Sequence, residues 1–303
     1  MRIAILEKTD FNEVQMTRLK ALGSVEQFDS LTQEQANTIA PQYDAVVVNW
    51  LDPTPFLTQM KKGSLVSLLS TGYGWITNLK EAAEKGVYVT NIPGYSTEAV
   101  AEHLLGLLLG VSKNIFSTLN ACANETKGFE LKGKTVGIIG LGNIGTRFAE
   151  IMDFFGAKVI TYNRSIKGNK LAKDVSLDEL MMQSDIVCIS CSVNEQSRSL
   201  INESNITKLK EGVVIIGSTW DIITEKAIQQ GLASGVIAYI AFDAAVEGSE
   251  KLSDVYGDIS NRFFITPHIA YDTFESENRQ LDICVENIER FFGNNPQNVI
   301  NGR

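Results

Sequence analysis

The stretch that decides the fold is "TVGIIGLGNIG", residues 135–145, which joins an apolar run to the triplet Gly140-x-Gly142-x-x-Gly145. Such a triplet often occurs by chance, but this one lies between a predicted strand and a predicted helix, and a second predicted strand (158–162) follows. In that setting the first glycine permits a tight turn and the second lets the backbone approach a pyrophosphate. The third lets helix and strand pack closely. The motif predicts a dinucleotide-binding turn.

The residues around this turn predict how the dinucleotide is held. The backbone amides of Asn143 and Ile144 begin the helix, where the helix dipole favours a phosphate. An acidic residue about 20 positions further on would bind the ribose of NAD, but the chain has Asn163, Arg164 and Ser165 there. Because a guanidinium pairs with a 2′-phosphate, NADP(H) is the preferred cofactor and NAD(H) the alternative. A second interpretation makes Arg164 a solvated turn residue that stacks on adenine.

Apolar runs outside the motif predict the rest of the fold. The predicted strands are 2–6, 45–50, 65–70, 87–91, 135–140, 158–162, 185–190, 213–217, 237–242 and 263–266. The runs are continuous and not alternating, which indicates strands covered on both faces, as in parallel sheets with crossover helices. They are too many for one ordinary sheet, so the fold class is predicted to be α/β with two doubly wound parallel-sheet domains. Helices are predicted after a cap at Ser96 or Thr97, after a capping box that begins at Ser176, and at 277–293.

Composition excludes several classes of function. The chain of 303 residues has a net charge of −9, so it offers no basic field for nucleic acid or anionic lipid. Four scattered cysteines without a CxxC pair and only two histidines argue against a metal cluster. The start, "MRIAIL", is predicted to be a strand and not a secretion signal, and the longest apolar stretch, 104–111, is too short to span a membrane. We therefore expect a cytoplasmic protein with reduced thiols.

Several segments resemble the D-isomer-specific 2-hydroxy acid dehydrogenases almost from end to end. The most specific are "VAEHLLGLLL" (100–109) and "TPHIA" (266–270). The resemblance implies a flavodoxin-like substrate domain, residues 1–96 plus 272–303, around an inserted Rossmann-like nucleotide-binding domain, residues 97–271. It also implies a homodimer built largely on the insert. The implied reaction is hydride transfer between a nicotinamide cofactor and a small 2-oxo or 2-hydroxy acid, or a related carbonyl compound.

The resemblance also implies roles for individual residues. His268 matches the general acid/base; its alternative is a structural residue that ends a strand. Asp243 and Ser218 match cofactor-binding positions, Asp243 by contact with the carboxamide. His103 fits the helix pattern and is interpreted as a core or interface histidine. The backbone amides of the "TGYG" loop are implied to bind the substrate's acid group, and the loop residues are Gly72, Tyr73 and Gly74.

The chain departs from the family pattern at two catalytic positions. Trp220 stands where the family has a carboxylate-binding arginine, and Asp221 follows it. Trp220 is therefore assigned to the substrate pocket, where it can stack on an apolar substrate. Glu247 lies one place before the position of the glutamate that supports the histidine; a surface carboxylate is its alternative. Two functions follow: an oxidoreductase with an altered pocket, which we favour, and a non-catalytic NADP(H) sensor that acts through its dimer.

Overall fold

The computed structural model describes residues 1–119, 127–165, 168–244 and 262–302. The chain divides into two compact units, one made of Met1–Ser96 with Phe274–Arg303 and the other of Thr97–Thr273. The chain thus leaves the first unit at the predicted position and returns to it two residues after the predicted one.

Both units are built from short strands that alternate with helices. In chain order the strands are β1 (Arg2–Ile5), β2 (Ser24–Gln27), β3 (Ala45–Val48), β4 (Leu65–Leu68), β5 (Tyr88–Thr90), β6 (Thr135–Ile139), β7 (Lys158–Tyr162), β8 (Lys173–Asp174), β9 (Ile186–Ile189), β10 (Val213–Gly217), β11 (Ile237–Asp243) and β12 (Phe263–Thr266). The helices are α1 (Glu13–Leu22), α2 (Gln33–Ile39), α3 (Thr54–Leu57), α4 (Leu79–Glu84), α5 (Thr97–Ser112), α6 (Ile115–Leu119), α7 (Asn143–Phe154), α8 (Leu177–Gln183), α9 (Glu225–Ser234) and α10 (Phe274–Phe292).

The first unit is a five-stranded sheet in the order β2-β1-β3-β4-β5, with all described pairings parallel. This is the flavodoxin-like strand order. β3 and β4 are buried along their whole length, as their continuous apolar sequences predict. The amphipathic α10 packs on α1 and β4, and Arg18 of α1 forms an ion pair with Glu289 of α10 at 2.6 Å.

The second unit is a seven-stranded sheet in the order β12-β11-β10-β9-β6-β7-β8, again with parallel pairings. Renumbered from β6, this is the Rossmann order with one added strand. The order reverses between β6 and β9, and ligands of such sheets bind beyond the carboxyl ends of the strands at that point. The predicted fold class, two doubly wound parallel sheets, is confirmed.

The two faces of the second sheet have separate cores. One face packs against α5 and α7, and the other against α8 and α9. The apolar residues along one face of α5 are buried, and the predicted capping box of α8 forms between Ser176 and Glu179. In the part of the chain that the structure describes, no helix combines the length and the apolar character that a membrane crossing requires.

Candidate cofactor and active site

The glycine turn after β6 has the shape that a dinucleotide requires. Gly140 has a φ of +97°, and a Cβ atom there would lie 2.6 Å from Cα of Cys191. A Cβ atom on Gly145 would lie 2.2 Å from the carbonyl oxygen of Gly140. A Cβ atom on Gly142 would meet no protein atom within 4 Å. The first and third glycines are therefore required for packing, whereas the second borders open space where a pyrophosphate fits.

The start of α7 supplies the donors for that space. Gly142 is the N-cap residue, and no side chain caps the first turn of the helix. Asn143 and Ile144 are the first helical residues. The first N–H groups of a helix have no partner within the helix, and the dipole makes this end favourable for an anion. Their arrangement fits the predicted phosphate contact.

Two neighbouring strands hold the glycine turn in place. The side-chain oxygen of Asn163, just after β7, accepts the N–H of Leu141 at 2.5 Å. The hydroxyl of Ser190, just after β9, donates to the carbonyl of Gly140 at 2.7 Å. Asn163 was predicted to bind the cofactor. Its amide oxygen accepts a hydrogen bond from the turn itself, so Asn163 shapes the turn, and its predicted contact with the cofactor stays a prediction.

The segment predicted to select NADP(H) presents one exposed cation. Arg164 donates to the neutral side-chain oxygen of Gln196 at 3.1 Å, and Ser165 is exposed. A carboxylate from another strand lies close to this segment. Asp174 of β8 lies beside Asn163, whose side-chain nitrogen donates to it at 3.4 Å. The sequence did not predict Asp174 beside Asn163, because β8 is a two-residue edge strand without an apolar run.

The residues of the turn after β10 have contacts within the protein. Ser218 donates its N–H to Ile189 of the neighbouring strand at 3.2 Å. The Trp220 ring packs edge-on against Phe242 and Phe263, with centroid distances of 5.4 and 5.7 Å. Phe242 belongs to the core on the α8 and α9 face, and Trp220 and Phe263 are partly buried against it. Trp220 thus has a packing role, and its predicted contact with substrate stays a prediction.

Two arginines elsewhere in the chain have partners within the protein. Arg198 forms an ion pair with Asp221 at 2.5 Å, so the carboxylate that follows Trp220 is neutralised by it. Arg279, on α10 in the first unit, donates to the carbonyl of Tyr95 at 2.8 Å. Both guanidinium groups are thus engaged with other residues of the protein.

His268 lies on a tight turn after β12. It is exposed, has a φ of +55°, and donates its N–H to the carbonyl of Thr266 at 2.9 Å. Its ring meets Tyr271 edge-on at a centroid distance of 5.6 Å. Burial, together with the carboxylates of Asp272 and Asp243, raises the pKa of Tyr271. The imidazole is therefore presented to solvent beside a neutral phenol.

Asp243 anchors this turn from the adjacent strand. The register pairs Asp243 with Thr266, whose hydroxyl donates to Oδ1 at 2.6 Å. The N–H groups of Ile269 and Ala270 donate to Oδ1 and Oδ2 at 2.9 and 2.8 Å. His103, on α5, contacts the Thr266 hydroxyl through Nε2 at 2.9 Å. Asp243 is 1% exposed, so the residue implied to contact the cofactor is already engaged in holding the turn that carries His268.

The glycine turn and His268 lie on the same edge of the second sheet. The strand order separates β6 from β12 by four strand spacings, about 19 Å of sheet edge. The "TGYG" loop belongs to the first unit, where Gly72, Tyr73 and Gly74 are exposed. Glu247 lies outside the described residues, so its predicted pairing with His268 stays a prediction.

The chain matches the model of the D-isomer specific 2-hydroxyacid dehydrogenase, NAD binding domain, over residues 105–270. It belongs to this family. A hydroxypyruvate reductase of Blautia hydrogenotrophica is 29% identical over 99% of this chain and 100% of its own length. The 2-hydroxyacid dehydrogenase A of Aspergillus oryzae is 30% identical over 84% of this chain and 80% of its own length.

Solved structures show the same architecture. An acyclic imino acid reductase in complex with NADPH and D-arginine is 25% identical, with a TM-score of 0.87 over 99% of this chain and all of that one. A glyoxylate reductase from Paecilomyes thermophila shares the fold at 23% identity, with a TM-score of 0.86 over 99% of this chain and 98% of that one. This member of the D-2-hydroxyacid dehydrogenase family is therefore an NAD(P)-dependent oxidoreductase, which confirms the function that the sequence favoured over the sensor.

Proposed function

We propose that the protein is an NADP(H)-preferring reductase of a 2-oxo acid or a closely related carbonyl or imine compound. The observation that carries this proposal is the pairing of an open glycine turn with an exposed His268 on one sheet edge. The substrate's acid group is not held by the turn after β10, because Trp220 and Asp221 replace a cation there and both have protein partners. We assign that group to the exposed backbone of the "TGYG" loop.

The chemistry divides between the cofactor and the chain. A bound reduced nicotinamide supplies the hydride to the substrate carbon. His268 gives its proton to the substrate oxygen or nitrogen as negative charge develops there, and takes it back in the reverse direction. Glu247 is the proposed partner that supports the imidazole. Without the guanidinium, transition-state stabilisation for a small 2-oxo acid falls by roughly 3 kcal/mol, which corresponds to two to three decades in rate.

Cofactor preference rests on Arg164. Its guanidinium is exposed and donates to a neutral amide, so its charge is available to a 2′-phosphate. Asp174, near the same segment, already accepts hydrogen bonds from Asn163 and from the N–H of Gly168. We expect Arg164→Ala to weaken NADPH binding roughly 10- to 100-fold, since a hydrogen bond to a charged group contributes about 1.5–3 kcal/mol, and to leave NADH binding nearly unchanged. Equal losses for both cofactors would contradict the preference.

The substrate class is tested by following NADPH consumption with a panel of carbonyl compounds. The panel contains glyoxylate, hydroxypyruvate, pyruvate and larger apolar 2-oxo acids, each with and without ammonia to form the imine. Consumption that disappears in His268→Ala supports the proposal, and dependence on ammonia points to the imine. NADPH binding without consumption across the panel would favour the sensor.

Trp220 offers a second test. Because its ring packs with Phe242 and Phe263, we expect Trp220→Arg to lower the Tm and to leave turnover no higher than in the wild type. Trp220→Phe keeps an aromatic contact and serves as the matched control. A Trp220→Arg variant that folds as well as the control and gains activity would show that the turn had simply lost its cation.

The remaining assignments concern assembly and location. We propose that the first unit binds substrate, that the second binds the cofactor, and that two chains form a homodimer. Phe154, at the end of α7 in the second unit, is 87% exposed, as we expect for an apolar side chain that a second copy of the chain covers in the dimer. Light scattering on the purified protein tests the dimer.

The described cysteines, Cys188, Cys191 and Cys284, are unpaired thiols, which supports a reducing, cytoplasmic location.

A further inference from the structure

We propose that His103 and Thr266 are positioning residues that act through Asp243 to hold the turn carrying His268. The inference rests on the proposed function, because it concerns how the proposed general acid/base is kept in place. Three elements take part: α5 supplies the histidine, β12 the threonine and β11 the aspartate. The sequence suggested only a core or interface role for His103.

The donor and the acceptor can be assigned for each hydrogen bond between His103, Thr266 and Asp243. The Thr266 hydroxyl has one proton, and its distance to Oδ1 of Asp243 is 2.6 Å, against 3.5 Å to the carbonyl of Phe242. A carboxylate only accepts, so the hydroxyl donates to Asp243. Nε2 of His103, 2.9 Å from the same hydroxyl oxygen, must then be the donor. The structure therefore requires the tautomer, or the protonated form, of His103 that carries hydrogen on Nε2.

Asp243 connects the Thr266 hydroxyl to the turn that carries His268. Oδ1 accepts from the Thr266 hydroxyl and the N–H of Ile269, and Oδ2 accepts from the N–H of Ala270. The carboxylate is almost completely buried, and a buried acceptor that loses a donor is destabilised or moves to find another. Removing the hydroxyl or its own donor thus frees the carboxylate to rotate away from the two amides.

The turn needs this support because of the backbone of His268. Its φ of +55° is a left-handed conformation that a residue with a Cβ atom rarely adopts. Such residues persist where the surroundings over-determine them. The N–H of His268 is bound to the Thr266 carbonyl, and the next two N–H groups are bound to Asp243. When the carboxylate loses its place, the backbone of His268 relaxes and the imidazole shifts.

Four substitutions and a control test the chain of contacts. Thr266→Val and His103→Leu remove one donor each, Thr266→Ser and His103→Gln restore a group of the same kind, and Ser184→Ala deletes a buried hydroxyl elsewhere in the same unit. We expect the two removals to lower kcat roughly 10- to 100-fold, with KM little changed, as for a misplaced catalytic group. We expect kcat of the double variant, with both Thr266→Val and His103→Leu, to be no lower than that of the more impaired single variant. Both substitutions interrupt the same series of hydrogen bonds. The restoring variants recover most of kcat, and Ser184→Ala keeps it.

A second readout does not depend on turnover. The chain has two histidines, so an NMR spectrum of imidazole-labelled protein shows one set of ring signals for each, and the set lost in His103→Gln identifies His103. We expect Thr266→Val to move the His268 signal and Ser184→Ala to leave it in place. If Thr266→Val does not fold, the same comparison is made with His103→Leu. A His268 signal that stays at its wild-type position overturns the proposal. A wild type without activity on the whole panel overturns only the proposed function, since the NMR comparison still applies.

Discussion

Two single-methyl substitutions in one turn are expected to have opposite consequences. A Cβ atom on Gly140 overlaps the backbone of Cys191 and sits at a φ of +97°, whereas a Cβ atom on Gly142 has no protein atom within 4 Å. Gly140→Ala should therefore damage the fold. Gly142→Ala should leave the fold intact and obstruct the pyrophosphate.

The magnitudes follow from these contacts. Overpacking costs about 1–3 kcal/mol and a left-handed φ about 1–2 kcal/mol, so Gly140→Ala should lower the free energy of unfolding by roughly 2–5 kcal/mol. For a unit of this size that is a fall in Tm of roughly 5–20 °C. At Gly142, alanine is the poorer N-cap residue, but it reduces the entropy of the unfolded chain by a similar amount, so the two effects offset to within about 1 kcal/mol.

The assay pairs thermal unfolding without cofactor with NADPH titration by fluorescence. For Gly142→Ala we expect a Tm near the wild-type value and a Kd for NADPH that rises roughly 5- to 150-fold, the equivalent of 1–3 kcal/mol of overpacking against the bound phosphate. A Gly142→Ala protein that binds NADPH with the wild-type Kd would refute the assignment of the turn as the pyrophosphate site. A Gly140→Ala protein as stable as the wild type would refute the packing reason for the first glycine.

Three further predictions concern the second unit. Burial raises the pKa of Asp185, but hydrogen bonds from Lys210 and from the N–H of Thr135 outweigh it and hold the pKa below the ordinary 3.8. The stabilisation from this ionised carboxylate is complete above the ordinary pKa and is lost as pH falls through the pKa of the folded protein. Asp185→Asn should therefore reduce the fall in the free energy of unfolding at acid pH, measured by urea unfolding at a series of pH values. An unchanged fall would contradict this. Burial raises the pKa of the Cys191 thiol to about 11, so its alkylation by iodoacetamide should accelerate about tenfold per pH unit up to about pH 10, and an early plateau would count against it. Ser176→Ala should cost about 0.5–2 kcal/mol in the same urea assay because it removes a helix cap, and an unchanged midpoint would argue that the cap is redundant.

Much of the fold was predictable because its strands are buried on both faces. Continuous apolar runs located β6, β7, β9, β10, β11 and β12 in the second unit within one or two residues. β2 and β8 were not predicted, since "SVEQ" at 24–27 and "KD" at 173–174 are short and polar and pair only at sheet edges. They are strands because their backbones pair with a neighbouring strand, and this pairing does not require particular residue types.

The site was predictable in its parts but not in its connections. The glycine spacing and the "TPHIA" motif predicted the two turns on which the proposed function depends. Residue types alone did not indicate that Asn163 accepts a hydrogen bond from the glycine turn or that Asp243 accepts hydrogen bonds from the His268 turn. Both contacts depend on strands that are distant in sequence and adjacent in the sheet. Asp174 lies beside Asn163 through the same kind of long-range pairing.

The turn after β10 is structurally independent of the turns on either side of it. The glycine turn is held by Asn163 and Ser190, and the His268 turn by Asp243, so neither depends on the residue at position 220. Trp220 is accommodated by aromatic neighbours on the opposite face of β11 from Asp243, because Phe242 and Asp243 are consecutive strand residues whose side chains point to opposite faces. The contacts of Trp220 are therefore separate from those that hold the glycine turn and the His268 turn. We expect a change at position 220 to alter substrate selection before cofactor binding, which is why the panel of carbonyl compounds and imines discriminates more sharply than any single 2-oxo acid.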